Sequence, residues 1–260
     1  MDANSKKLPL SVTIITLNES DALPACLESV AFAEDLVVVD SGSTDDTLQI
    51  AQSMGARVFS QPWLGYGQQK NFAVDQARHD WVLCLDADER VDPLLRASIE
   101  TALSHPNPPF NGYQIARRNH FLGRGLKHGF GYPDINIRLM NRHRGRWTEP
   151  SVHEYIQVTG PVGRLDGDLL HFSAENFQQY LEKHNRYTTL QAQMLMAHPP
   201  RWLRLKMVVN PLVCFIKGYV IKRAFLDGLP GLVHTVCHCF TTFTKYAKLY
   251  ESLLREKRAG

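Results

Sequence analysis

Trp81-Val82-Leu83-Cys84-Leu85-Asp86-Ala87-Asp88 is the stretch whose reading decides the fold. Five uncharged residues run into two carboxylates two positions apart. A short, continuous apolar run is the mark of a strand buried on both faces, as in parallel sheets. Where the strand becomes a loop, carboxylates two apart can both reach one cation. Mg²⁺ and Mn²⁺ prefer oxygen ligands and take one or two carboxylates together with substrate phosphates. Glu89 and Asp92 fit a solvated loop and the cap of a helix opened by Pro93 better than they fit a ligand role.

Upstream, the chain alternates strands and helices. Val12–Leu17, Leu36–Val39 and Arg57–Ser60 read as strands. Ser20 and Asp21 can cap a helix to about Ala31. Ser43 and Thr44 can cap one from about Asp45 to Met54, ended by Gly55. Helices also fit Gly67–Arg78 and Pro93–Leu103. The alternation predicts a parallel sheet covered by helices on both faces. Ligands of such sheets bind outside the carboxyl ends of the strands. Asn18-Glu19, Asp40 and Asp86/Asp88 all lie at such ends. With Ser43 and Thr44 available as caps, Asp40 is free to accept hydrogen bonds from a ribose or a base. No strand is followed by Gly-x-Gly-x-x-Gly and there is no Walker-type loop. Both absences argue against a dinucleotide oxidoreductase or a P-loop enzyme.

Downstream, short strands are predicted at Gly112–Arg118, Asn136–Asn141, Arg146–Glu149 and Glu154–Val158. A long helix follows over Ala174–Met196, then two or three basic amphipathic helices over residues 201–250.

The 260 residues carry a net charge of +3, which hides a segregation. Residues 1–116 carry −9, 117–146 carry +7, 147–200 carry −3 and 201–260 carry +8. An acidic first half argues against a nucleic-acid binder. A basic tail suits an anionic membrane or substrate. The tail interleaves Arg201, Arg204, Lys206, Lys217, Lys222 and Arg223 with Trp202, Leu203, Leu205, Val208, Phe215, Ile216 and Tyr219, the composition of an interfacial helix. The alternative is a helical hairpin with a wet basic face. Lys6-Lys7 before Leu8–Leu17 imitates a signal peptide, but the β-branched stretch reads as a strand. The longest stretch without Asp, Glu, Lys or Arg, Gly228–Thr244, has 17 residues, so no transmembrane segment is expected. Five scattered cysteines make no disulfide framework, which suits a reducing cytosol.

Val12-Thr-Ile-Ile-Thr-Leu-Asn-Glu19, Val37-Val-Val-Asp-Ser-Gly-Ser-Thr-Asp45, Gly67-Gln-Gln-Lys-Asn71 and Leu85-Asp-Ala-Asp-Glu89, in that order, resemble the family-2 glycosyltransferases of GT-A fold. A looser resemblance to the branch that adds β-linked glucose to the lipopolysaccharide core runs through Arg138-Leu139, Trp147, Val152-His153-Glu154, His171 and Phe225–Leu229. It implies an α/β GT-A fold with a mostly parallel central sheet over residues 1–200 and a C-terminal amphipathic helical extension over 201–260. The donor part would span about 8–110 and the acceptor part 111–200.

By that resemblance, Thr16, Leu17 and Glu19 lie against the nucleoside of a UDP-sugar, and Asp40 binds its uracil or ribose. Lys70 sits near the diphosphate, Asp86 near the ribose and the metal, and Asp88 ligates Mg²⁺ or Mn²⁺. The family carries its catalytic base after the Asp-x-Asp, often in a Glu-Asp pair. That pair is missing here, and Glu154 is the first candidate, with Glu149 and Asp134 as alternatives. A salt bridge to Arg138 or Arg142 is the structural alternative for Glu154. His171 is a core histidine or a metal or phosphate contact. Arg118, Arg138 and Trp147 are expected to face the acceptor.

The implied activity is inverting transfer of a hexose, glucose first, to a lipopolysaccharide inner-core acceptor. It would take place on the cytoplasmic face of the inner membrane. Alternatives are transfer to polyprenyl phosphate or another cell-envelope glycan, nucleotidyl transfer, and a non-catalytic nucleotide-sugar-binding or membrane scaffold.

Overall fold

The computed structural model describes residues 7–105, 108–149, 154–172 and 177–259. In chain order the elements are β1 (Leu8–Thr16), α1 (Leu23–Ser29), β2 (Ala33–Asp40), α2 (Thr47–Ser53), β3 (Arg57–Ser60), α3 (Tyr66–Asp75), β4 (Trp81–Asp86), β5 (Glu89–Val91) and α4 (Pro93–Leu103). There follow β6 (Gly112–Phe121), β7 (Arg124–Gly125), β8 (Asp134–Asn141), β9 (Gly145–Trp147), β10 (Ile156–Val158), β11 (Val162–His171), α5 (Phe177–Met196), α6 (Leu203–Phe215) and α7 (Gly228–Ala259). The chain divides into two compact units. One holds the described residues up to Arg117 and Ile135–His171, the other Arg118–Asp134 and those from Phe172 onward.

The first unit is built on a sheet ordered β3-β2-β1-β4-β8-β6-β11-β5. Strands β3, β2, β1 and β4 are mutually parallel, whereas β8 pairs antiparallel with β4 and β5 pairs antiparallel with β11. The apolar runs explain the parallel half. Leu83 and Leu85 pack with Leu23 and Leu27 of α1 and Leu95 and Ile99 of α4. On the other face Val82 and Cys84 pack with Val74 of α3, and Val37 and Val39 pack with Ala73. A strand covered on both faces has no wet side on which to alternate polar residues. At the amino-terminal edge, buried Asp35 accepts from Ser11 Oγ (2.6 Å) and Arg57 Nε (2.8 Å), tying β1, β2 and β3 together.

Several local expectations are corrected. No side chain caps α1, which begins after Ala22 rather than at Ser20 or Asp21. Ser43 and Thr44 do not cap α2 either: the helix starts at Thr47, whose N–H donates to Asp45 (3.1 Å). Asp92 does cap α4, accepting from Leu95 N (2.7 Å). The strand β11, which ends on His171, was not anticipated. Strands β9 and β10 occupy less of their predicted ranges, and Val152 and His153 lie outside the described residues, as does the predicted start of the long helix at Ala174.

In the second unit, β7 pairs with the end of β6. Helices α5 and α7 enclose a small core of Phe121, Leu126, Tyr180 and Cys237. Two short turns, a π-helical one over Ile216–Ile221 and a 3-10 one over Ala224–Asp227, join α6 to α7. Buried Asp227 accepts from the backbone N–H groups of Lys127 (3.0 Å) and His128 (2.8 Å). All five cysteines are free.

Candidate active site

The carboxyl end of β4 delivers Asp86 into a group of buried cations. Lys70 Nζ, carried by α3, lies 3.1 Å from Asp86 Oδ1 and Arg138 Nη2, carried by β8, lies 3.4 Å from Asp86 Oδ2. Burial alone would raise the Asp86 carboxyl, but Lys70 and Arg138 outweigh it and hold the group well below the usual carboxylate range. Asp86 is therefore an anion whose charge is already matched by protein.

Glu89 completes that group and is not the solvated loop residue that its sequence position suggests. It is fully buried, accepts from Asp86 N (2.9 Å) and from Arg138 Nη2 (2.9 Å), and has Arg117 Nη1 at 3.5 Å. Burial, with Asp86 nearby, raises its carboxyl despite Arg138. Arg138 is pushed up by Glu89 and Asp86 against the opposing effect of its own burial.

Asp88 points elsewhere. Its Oδ2 lies 3.3 Å from His171 Nε2, at the end of β11. Register explains the meeting: β11 pairs with β5 so that His171 stands opposite Glu89, one residue beyond Asp88. The Asp88 carboxylate is a donor that Mg²⁺ or Mn²⁺ accepts once phosphate oxygens complete the shell, and the imidazole beside it suits the softer Mn²⁺ better than Mg²⁺. Among the described residues, no three His, Cys, Asp or Glu side chains gather as a ready-made metal cage.

Lys70 also reaches Glu154 Oε1 at 3.1 Å, and this, not Arg138 or Arg142, is the ion pair of Glu154. Glu149 is exposed and accepts from Gln68 Nε2 (3.2 Å) and Asn71 Nδ2 (3.3 Å), both on α3. Asp134 and Arg118 belong to the second unit, where the Arg118 guanidinium lies 5.2 Å from the centre of the Tyr132 ring.

Helix α3 is unusual in burying Gln69, Lys70 and Asn71. Asn71 brackets Trp147, donating to its carbonyl (3.0 Å) and accepting from its N–H (3.0 Å). Gly67 makes this approach possible, because a Cβ there would meet Thr148 O at 2.1 Å. Trp147 is only 6% exposed, and Lys70 Nζ stands 4.4 Å and Arg138 5.8 Å from its ring. Trp147 and Arg138, expected at an acceptor, are both buried, with the Trp147 ring facing the Lys70 and Arg138 cations.

Asp40 is not free, contrary to expectation. Its carboxylate accepts from Gly42 N (2.9 Å), Ser43 N (2.9 Å), Ser43 Oγ and Thr16 Oγ1 (3.2 Å). Burial raises its pKa less than these donors lower it. Gly42, at φ 108, lets the turn close around the carboxylate. Leu17 is exposed beside this turn, and Glu19 N donates to Thr47 Oγ1 (2.9 Å).

The basic block also divides. Arg142 donates to Ala77 O (2.5 Å) and Arg146 pairs with Asp75 (2.9 Å), while Arg124, Lys127 and Arg144 are exposed.

The model of the family described as "Glycosyl transferase family 2" matches residues 11–158. The chain is 34% identical to the lipopolysaccharide core biosynthesis glycosyltransferase LpsC of Rhizobium meliloti, across 94% of this chain and 93% of that one. It is 32% identical to an uncharacterized glycosyltransferase of Rickettsia prowazekii, across 95% and 89% of the two chains. Among solved structures it is similar to S. aureus TarS 1-349 in complex with UDP-GlcNAc, with a TM-score of 0.50, 14% identity and coverage of 96% and 92%, a likeness of fold.

Proposed function

Because the chain belongs to glycosyl transferase family 2, we propose that it moves a hexose, glucose as first choice, from a UDP-sugar to a lipopolysaccharide inner-core hydroxyl with inversion. The acceptor is lipid-linked, so the reaction takes place at the cytoplasmic face of the inner membrane. The observation that carries this reading is Lys70, which stands 3.1 Å from both Asp86 of the Asp-x-Asp and Glu154. One cation therefore joins a donor-side carboxylate to a candidate base.

Glu154 accepts the proton of the acceptor hydroxyl as its oxygen bonds to the anomeric carbon and the bond from that carbon to the diphosphate breaks. UDP departs from the opposite face. Lys70 follows the negative charge onto the leaving diphosphate, which frees Glu154 for its proton. Asp88 and His171 would hold a divalent cation, which supplies further neutralisation of the diphosphate when bound. Thr16, Leu17 and Glu19 line the nucleoside side. Asp40 shapes the turn there and reaches a uracil or ribose only by giving up one of its hydroxyl donors. Glu149, in the same unit as Glu154, is the alternative base.

UDP release from UDP-glucose, with Mg²⁺ or Mn²⁺ and a purified inner-core acceptor, tests the reading. Asp88→Ala should lower turnover about a thousandfold. Undiminished turnover in that variant removes the metal site. Turnover on polyprenyl phosphate but not on inner core reassigns the acceptor. UDP binding without turnover on any acceptor makes the protein a scaffold.

A further inference from the structure

Helix α6 presents an apolar face outward. Leu205, Val208, Val209, Leu212 and Val213, continued by Ile216 at the start of the next turn, fall at i, i+3, i+4, i+7, i+8 and i+11 of one helical stripe, and each is between 40% and 62% exposed. None of the thirteen residues of α6 is buried. The inward face carries Asn210, which donates to Tyr246 Oη of α7 at 2.9 Å. That half-buried face is itself mostly apolar, with Leu203, Met207, Cys214 and Phe215, so α6 is apolar on both faces, whereas an ordinary surface helix turns a polar face outward. Trp202 before the stripe and Ile221 after it are 74% and 70% exposed. A contiguous apolar face of this kind marks an interaction site.

Charge selects the partner. Residues 201–226 contain six Lys or Arg and no Asp or Glu. Arg201 and Arg204 stand at one end of the stripe and Lys217, Lys222 and Arg223 at the other, all exposed. A second copy of this face would set five exposed cations against five. An anionic lipid surface pairs with all of them while its acyl region takes the stripe. Among the described residues, no helix is long and apolar enough to cross a membrane, so α6 would lie in the interface plane rather than span it.

We propose that the outward stripe of α6, continued through the Ile216–Ile221 turn, inserts into the surface of a bilayer containing anionic phospholipid. Arg201, Arg204, Lys217, Lys222 and Arg223 sit at its headgroups. This deepens the membrane-face reading above by naming the surface and the lipid charge, and its chemistry is separable from transfer.

Flotation of the full chain with phosphatidylcholine vesicles, with and without phosphatidylglycerol, tests it. The protein should float with the anionic vesicles and bind the neutral ones at least about tenfold more weakly. The triple substitution Leu205→Gln, Leu212→Gln and Ile216→Gln, all at exposed positions, should abolish flotation with the melting temperature unchanged. Lys217→Gln with Arg223→Gln should weaken it about fivefold per cation and leave the stripe intact. Absence of flotation, equal binding to both vesicles, or flotation unaffected by the triple substitution overturns the proposal. So does a dimer in sedimentation that the triple variant dissociates, which assigns the stripe to a second copy. Transfer to a detergent-dispersed acceptor, measured on the same variants, should persist. If it is absent in the parent protein while vesicle binding holds, the transferase reading fails and the docking face stands.

Discussion

At the scale of single residues, the site rests on Lys70 rather than on the Asp-x-Asp alone. Its ammonium pairs with Asp86 and Glu154 at once and lies against Trp147. Two carboxylates compete for one cation, and a diphosphate entering beside Lys70 would draw it from both. Glu154→Gln keeps size and hydrogen bonding and removes the basic oxygen. It should lower kcat by about 10²–10⁴-fold with little change in KM for the UDP-sugar, while Glu149→Gln leaves kcat near the parent value. The reverse pattern moves the base to Glu149. Much of this cluster was legible in the sequence: Lys70, Asp86, Asp88, Glu154 and His171 were each singled out. Their partners were not, because Lys70 and Glu154 are 84 positions apart and nothing local couples them. Glu89 was misread for the same reason, since its burial depends on Arg138 arriving from β8.

Among the elements, the parallel strands were the most readable part. Burial on both faces forces a continuous apolar run, and β1, β2 and β4 have one each. Cap positions were less readable, because Ser20, Ser43 and Thr44 spend their polar groups on neighbouring loops. Ser43 Oγ accepts from Asn18 N (2.8 Å) and Thr44 N donates to Asn18 Oδ1 (2.8 Å), joining the β1 and β2 ends instead of starting a helix. Helix α3 carried a usable signal that went unread. Gln69, Lys70 and Asn71 are consecutive polar residues, and all are buried. A helix with a polar buried face belongs to a site rather than to a core. Its position depends on Gly67. A methyl group 2.1 Å from Thr148 O forces α3 outward and carries Lys70 with it. Gly67→Ala should therefore destabilise the fold by about 1–3 kcal/mol, read as a lower denaturation midpoint, and should depress kcat as well. An unchanged midpoint with full activity would mean that the backbone at Thr148 gives way freely.

For the whole molecule, the two units should respond to acid at different pH. The second unit buries histidines in neutral form. Burial, then His238 and His184, lowers His234 to about 3, and burial, then His184 and Lys222, lowers His238 to about 4. In the unfolded chain these imidazoles take up protons near pH 6.5. A folded pKa below the unfolded one means that the unfolded state binds more protons between the two values, so stability falls as pH drops from about 6.5 toward 4. The limit is about 1.4 kcal/mol per pH unit for each histidine. The first unit has the same sign in a lower pH window. Asp35, Asp40 and Asp86 are held below the ordinary carboxylate value despite burial. Their contribution is complete above about pH 4 and is lost only below it. Hydrogen exchange across a pH series should show α5 and α7 opening first, from pH 6 downward, with β1, β2 and β4 protected until the carboxylates protonate. His234→Gln should flatten the upper limb and leave the lower one in place. A single cooperative transition for all five elements, unmoved by that substitution, would show that the histidines are not what sets the acid stability of the second unit.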